Sequence, residues 1–81
     1  MMSCEQHDYI EIACLYHYPV SLVLVSGEQM EGVALDTARN DKGAECLKIR
    51  AGDEVRLLPL ESLTRMTAAQ SNPHFTTVNF D

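Results

Sequence analysis

The spacing of hydrophobic positions changes near residue 20, from about 3.6 residues to 2, which divides the chain into a short helix followed by strands. Ile10, Ala13, Cys14 and His17 follow the i, i+3, i+4, i+7 spacing of a helix's buried face. Just before them, Asp8 followed three residues later by Glu11 has the spacing of a capping box, in which each side chain accepts a bond from an otherwise unpaired backbone N–H. The pattern predicts a helix over about residues 8–17. Pro19 ends it, because proline has no amide hydrogen and pushes Tyr18 out of helical geometry. Tyr9 and Tyr16 are expected to pack against the strands that follow.

From Val20 onward, Val20, Leu22 and Leu24 point one way, and after a turn at Ser26-Gly27 the inward set continues with Met30, Gly32 and Ala34. Arg39 to Gly43 is a polar run ending in glycine, the mark of a loop. Leu47, Ile49 and Ala51 then alternate with Lys48 and Arg50, and Gly52-Asp53 signals a tight turn. Pro59 confines the next strand, Glu54 to Leu60, to an edge or a strand end, since it cannot donate to a ladder. Glu61-Ser62 interrupts, Leu63 to Met66 forms a further strand, and Thr76 to Phe80 reads either as a last strand or as a frayed end. The expected division is a helix at about 8–17, a β-barrel at about 19–67, and a tail or extra strand at 68–81, in one domain. Strands this short cannot leave a flat sheet with a bare face, so they should curl into a small barrel or sandwich. The expected fold is mainly β: an N-terminal α-helix and a five- to six-stranded Sm-like or SH3-like barrel or sandwich.

Eighty-one residues make one marginal core, too small for a two-domain enzyme, and 46% apolar residues mark a folded chain. Charge adds more. The first 38 residues hold six acids (Glu5, Asp8, Glu11, Glu28, Glu31 and Asp36) and no Lys or Arg, while the other 43 hold six of each sign. The net charge of −6 therefore originates in the first half, and such a field repels phosphate backbones and attracts basic surfaces. Met1 to Gln6 has neither the basic region nor the apolar run of a signal peptide, so a cytoplasmic protein without membrane contact is expected. Cys4-x2-His7 and Cys14-x2-His17 offer two Cys/His pairs, but the tight knuckle of the common zinc modules is absent and core packing accounts for Cys14 and His17. No metal and no cofactor are expected. His7, His17 and His74 have no nucleophile or carboxylate constellation in sequence, so no enzymatic activity is expected.

Asp8-Tyr9-Ile10-Glu11-Ile12-Ala13-Cys14, His17, Gly27-Glu28, Ala34-Leu35-Asp36 and Leu60-Glu61-Ser62-Leu63-Thr64 together resemble the Rof family of Rho-binding antiterminators over roughly Cys4 to Met66. The helix motif is the most specific part. The resemblance implies a helix plus Sm-like β-barrel without catalysis, which binds the N-terminal RNA-binding domain of the hexameric termination factor Rho. There it blocks nascent RNA from the primary site and suppresses termination. Carried over by position, the acidic helix residues fall on Asp8 and Glu11, and Glu5 is counted with them. The position before Asp8 is His7, where another member carries Tyr. The loop between the second and third strands, one residue longer here, contributes Arg39, Asn40, Asp41 and Lys42. Asp8 and Glu11 are thus expected both to cap the helix and to meet Rho, with Glu28, Glu31 and Asp36 as solvated charges that help steering. The free protein is expected to be a monomer that does not bind nucleic acid itself. The alternative is a small Sm-like RNA-binding regulator acting as a ring oligomer, for which the basic residues are few and unclustered.

Overall fold

The computed structural model describes residues 2–80. Helix α1 spans Cys4–Leu15, and six antiparallel strands follow: β1 Pro19–Leu24, β2 Gln29–Arg39, β3 Glu45–Ala51, β4 Glu54–Pro59, β5 Leu63–Ala68 and β6 Thr77–Asn79. They form a single sheet in the order β4-β3-β2-β1-β5-β6. Alternation places Val20, Leu22 and Leu24 of β1 in one core with Ala34 of β2, Leu47 and Ile49 of β3, Leu58 of β4, Leu63 and Met66 of β5, and Val78 of β6. Side chains from all six strands can meet only if the sheet curls. Two bulges, after Val23 and at Leu35, supply the bend. The expectation of an Sm-like or SH3-like shape fits this arrangement, but the barrel is open: β4 and β6 remain its two edges. Pro59 lies at the end of edge strand β4, where its missing N–H costs no ladder bond.

The helix begins four residues earlier than its spacing suggested, because the cap is Ser3 and not a capping box of Asp8 and Glu11. Ser3 Oγ accepts from the Gln6 amide (3.1 Å) and Gln6 Oε1 accepts from the Ser3 amide (2.8 Å), a reciprocal capping box. The other end of Gln6 donates Nε2–H to the Asn79 carbonyl (2.8 Å), which ties the first turn to β6. Tertiary contact therefore favours this start over the one at Asp8. The helix packs on β2 and β6 and buries Ile10, Ala13 and Cys14.

His17 departs from the expected buried stripe. The helix stops at Leu15, and His17 has φ +51° with its side chain exposed. The Tyr18 amide bonds the Ala13 carbonyl (2.9 Å) and the His17 amide bonds the Cys14 carbonyl (3.1 Å). This is a Schellman ending with a histidine where glycine is usual. A left-handed conformation costs an L-residue roughly 1–2 kcal/mol, partly offset in glycine by its freer unfolded chain. His17→Gly is therefore expected to stabilise the fold by about 0.5–1 kcal/mol, read as a Tm rise of roughly 2–8 °C. An unchanged or lower Tm would show that the left-handed backbone is not a cost here.

The C-terminal segment is not frayed. Phe75, Val78 and Phe80 are buried, and β6 pairs with β5. Tyr9 packs against the core as expected, whereas Tyr16 is 53% exposed.

Candidate interface with a cationic partner

With Ser3 as the cap, Asp8 and Glu11 are left inside the helix. Glu5, Asp8 and Glu11 follow one another at intervals of three residues, all exposed on the side opposite Ile10, Ala13 and Cys14. Leu15 extends the same stripe and is 73% exposed. Among the described residues of this helix there is no Lys or Arg, and His7 is the one residue of the helix that contacts an acid of the stripe.

His7 joins the helix to the sheet. Its Nδ1 lies 3.3 Å from Glu11 Oε1, one turn along, and its Nε2 lies 3.0 Å from Glu45 Oε2 at the start of β3. A neutral imidazole has one N–H and can donate to one carboxylate only; the imidazolium donates to both. This bridge brings the helix beside the turn between β2 and β3. A groove of about 600 Å³ opens between them, with His7, Arg39, Glu45 and Glu61 on its polar side and Leu60 and Phe80 among its apolar walls.

Within that turn the four expected contact residues divide into two kinds. Asn40 Oδ1 accepts from the Lys42 and Ala44 amides (3.0 Å each), and Gly43 takes φ +80° to close the turn. Arg39 donates Nη1–H to the Gly43 carbonyl (2.8 Å). Arg39 and Asn40 therefore shape the turn, while Asp41 and Lys42 stand exposed at its tip. Glu45 was not singled out in the sequence; its place at the strand start beside a polar loop was the only signal.

At the other end of the helix, Glu11 and Asp36 flank a cleft of about 420 Å³ that also includes Leu15 and His17. Asp36, an exposed residue of β2 as expected, thus stands beside α1. Burial, and then the Asp36 and Glu11 carboxylates, push the Cys14 thiol up to about 11, so it stays protonated and unreactive at neutral pH. Glu28, by contrast, pairs with Arg56 (3.1 Å) and is no free acid. Cys4, His7, Cys14 and His17 do not converge: among the described residues no three His, Cys, Asp or Glu side chains are placed to hold a metal ion.

The family model for the modulator of Rho-dependent transcription termination, ROF, matches residues 1–80. The chain belongs to the Rof family. It is 32% identical over 77 residues to Protein rof of Escherichia coli K12, spanning 95% of this chain and 86% of that protein, and equally to Protein rof of Shigella flexneri. It is also similar to a solved structure of YaeO bound to magnesium from Vibrio cholerae O395, at 46% identity and TM-score 0.89, covering 91% of this chain and 96% of that one. The Rof family is one of termination modulators and not of enzymes, and Rho-dependent termination is the process its members act on. The helix motif read from the sequence, Asp8 to Cys14, contributes Asp8 and Glu11 to the exposed acidic stripe and Ile10, Ala13 and Cys14 to the buried side of α1. No helix among the described residues is long and apolar enough to cross a membrane.

Proposed function

We propose that this chain inhibits Rho-dependent termination by laying the acidic side of α1 into the RNA-binding groove of Rho's N-terminal domain, where it competes with RNA for the primary site. The observation that carries this reading is the stripe of Glu5, Asp8 and Glu11, exposed on one side of a helix whose cap is provided by Ser3. RNA grooves hold phosphates with Lys and Arg, and carboxylates on a rigid helix offer those cations the same oxygen acceptors. Asp41 and Lys42 add a second contact from the turn tip, Arg39 and Asn40 hold that turn in shape, and His7 locks it to the helix through Glu45. The charge of −6 speeds the approach to a cationic partner and disfavours direct RNA binding. In this reading the chain is a cytoplasmic monomer when free and needs no cofactor.

Affinity for Rho is expected to fall as salt rises from about 50 to 300 mM, mainly through slower association, because screening shortens the reach of the acidic field. Single-stranded RNA should displace the chain from Rho. Stopped-flow binding in a salt series, with RNA competition, tests both. Salt-independent binding, or a ternary complex that retains RNA at the primary site, would overturn the competitive mechanism.

A further inference from the structure

Strand β4 is an open edge of the sheet. It pairs with β3 alone, so alternate backbone N–H and C=O groups along it point outward with no strand to bond them. Natural edges are commonly blunted by a bulge, a proline or a charge that faces the approach. Here the ladder with β3 runs without a register shift, and Pro59 stands only at its end. The one basic residue of the strand, Arg56, is drawn back onto Glu28 (3.1 Å). Val55 and Leu57 point outward and are 53% and 43% exposed, whereas Leu58 on the other side of the strand is buried. Across the ladder Arg50 lies opposite Val55 and Lys48 opposite Leu57, and both cations are exposed. Two apolar side chains thus stand between two cations and a free backbone edge.

Among the described residues neither Lys48 nor Arg50 is in an ion pair, although Asp36 is the neighbour of Lys48 on β2. Glu54 alternates to the other side of β4 with Arg56 and Leu58. The patch therefore keeps two uncompensated positive charges in a chain whose net charge is −6. A free edge takes up an extended segment as a further strand, whose backbone supplies the missing ladder bonds. Apolar side chains of that segment cover Val55 and Leu57, and its carboxylates reach the long Lys48 and Arg50 side chains across them. RNA is disfavoured, because the overall charge repels phosphates and the patch has no aromatic ring for a base to stack on. A cationic groove such as that proposed for α1 has the wrong sign for this face. We infer that β4, with Lys48 and Arg50 beside it, is a docking edge for an extended acidic and apolar segment of a second partner protein. The inference stands apart from the Rho reading, since it uses none of the residues assigned to that interface.

Fluorescence anisotropy at low salt tests it, with the full chain and a labelled peptide of about eight residues that carries Glu and Val alternately on one face and Thr on the other. The peptide is expected to bind, and the chain with Lys48→Gln and Arg50→Gln to hold it about five- to tenfold more weakly at unchanged Tm. A peptide with Lys in place of Glu should bind more weakly still. One with proline at its two central positions should not bind, because proline cannot donate to the ladder. No binding at chain concentrations up to about 1 mM, or equal affinity for the Glu and Lys peptides, would overturn the acidic partner. Retained binding of the proline peptide would overturn strand addition. Oligouridine binding that the double substitution abolishes would assign the cations to RNA, and sedimentation showing dimers that Leu57→Lys dissociates would assign the edge to a second copy; either result overturns the proposal. Loss or retention of Rho binding leaves each of these outcomes as it is, so the two readings fail separately.

Discussion

Asp8→Asn combined with Glu11→Gln is expected to weaken binding to Rho by about 2–5 kcal/mol, or roughly 30-fold to several thousand-fold, while leaving the helix in place. The separation of the two effects follows from the cap. Ser3 and Gln6 close the N-terminus, so neither Asp8 nor Glu11 bonds an orphan amide, and both amides of the capping box survive the double substitution. The structural loss is confined to a weak helix-dipole interaction and the contact of Glu11 with the half-buried His7, an i, i+4 pair worth about 0.3–0.5 kcal/mol. Melting should shift by only a few degrees. The control is Glu28→Gln with Glu31→Gln, which removes the same charge from the region of the β1–β2 turn. There Glu28 already pairs with Arg56, and Glu31 accepts from Ser21 Oγ at 3.4 Å. The control should weaken binding far less. Titration calorimetry of both variants against Rho decides: equal losses would mean that net charge alone matters and that α1 is not the recognition element.

Gly32→Ala is expected to destabilise the fold by about 3 kcal/mol, a large share of the total for a chain of this size. A Cβ on Gly32 would fall 2.5 Å from the Arg50 carbonyl oxygen and 2.8 Å from Ile49 Cγ1. The first of these is backbone of the neighbouring strand, which cannot rotate away as a side chain does, and the second belongs to a fully buried residue. Relief requires β2 and β3 to separate at Gly32, which pairs with Val20 of β1 and lies three residues before the bulge at Leu35. Thermal unfolding followed by circular dichroism should show Tm lowered by roughly 12–24 °C. A drop of only a few degrees would mean that the sheet opens at little cost there and that its curvature is not rigidly held.

The capping residues show why local spacing did not settle the helix. Both Ser3-x-x-Gln6 and Asp8-x-x-Glu11 are competent capping boxes, and nothing within either tetrapeptide ranks them. Gln6 is distinguished by its bond to Asn79, 73 residues away. His17 illustrates the same degeneracy at the other end, since its i+3 spacing from Cys14 fits a buried stripe only if the helix continues, and the Schellman turn ends it first. The longer β2 escaped the pattern because the bulge at Leu35 shifts the alternation by one residue midway.

Several properties were written in the sequence itself. Period-2 alternation in β1 and β3 places the same residues inside whatever the sheet's curvature, because side chains alternate with each step of the backbone. Charge partition between the two halves is a matter of order along the chain, and the helix motif that marks the Rof family lies within seven consecutive residues. The composition of the surface was decided only by folding. Glu45 meets His7 across 38 residues, Asp36 comes to stand beside Glu11, and His74 stacks on Tyr16, all because a curled sheet with a helix on it brings together positions far apart in order. Each of these pairs depends on bulges, a left-handed residue and the docking of β6, whose energies come from packing against the rest of the chain and not from the residues on either side.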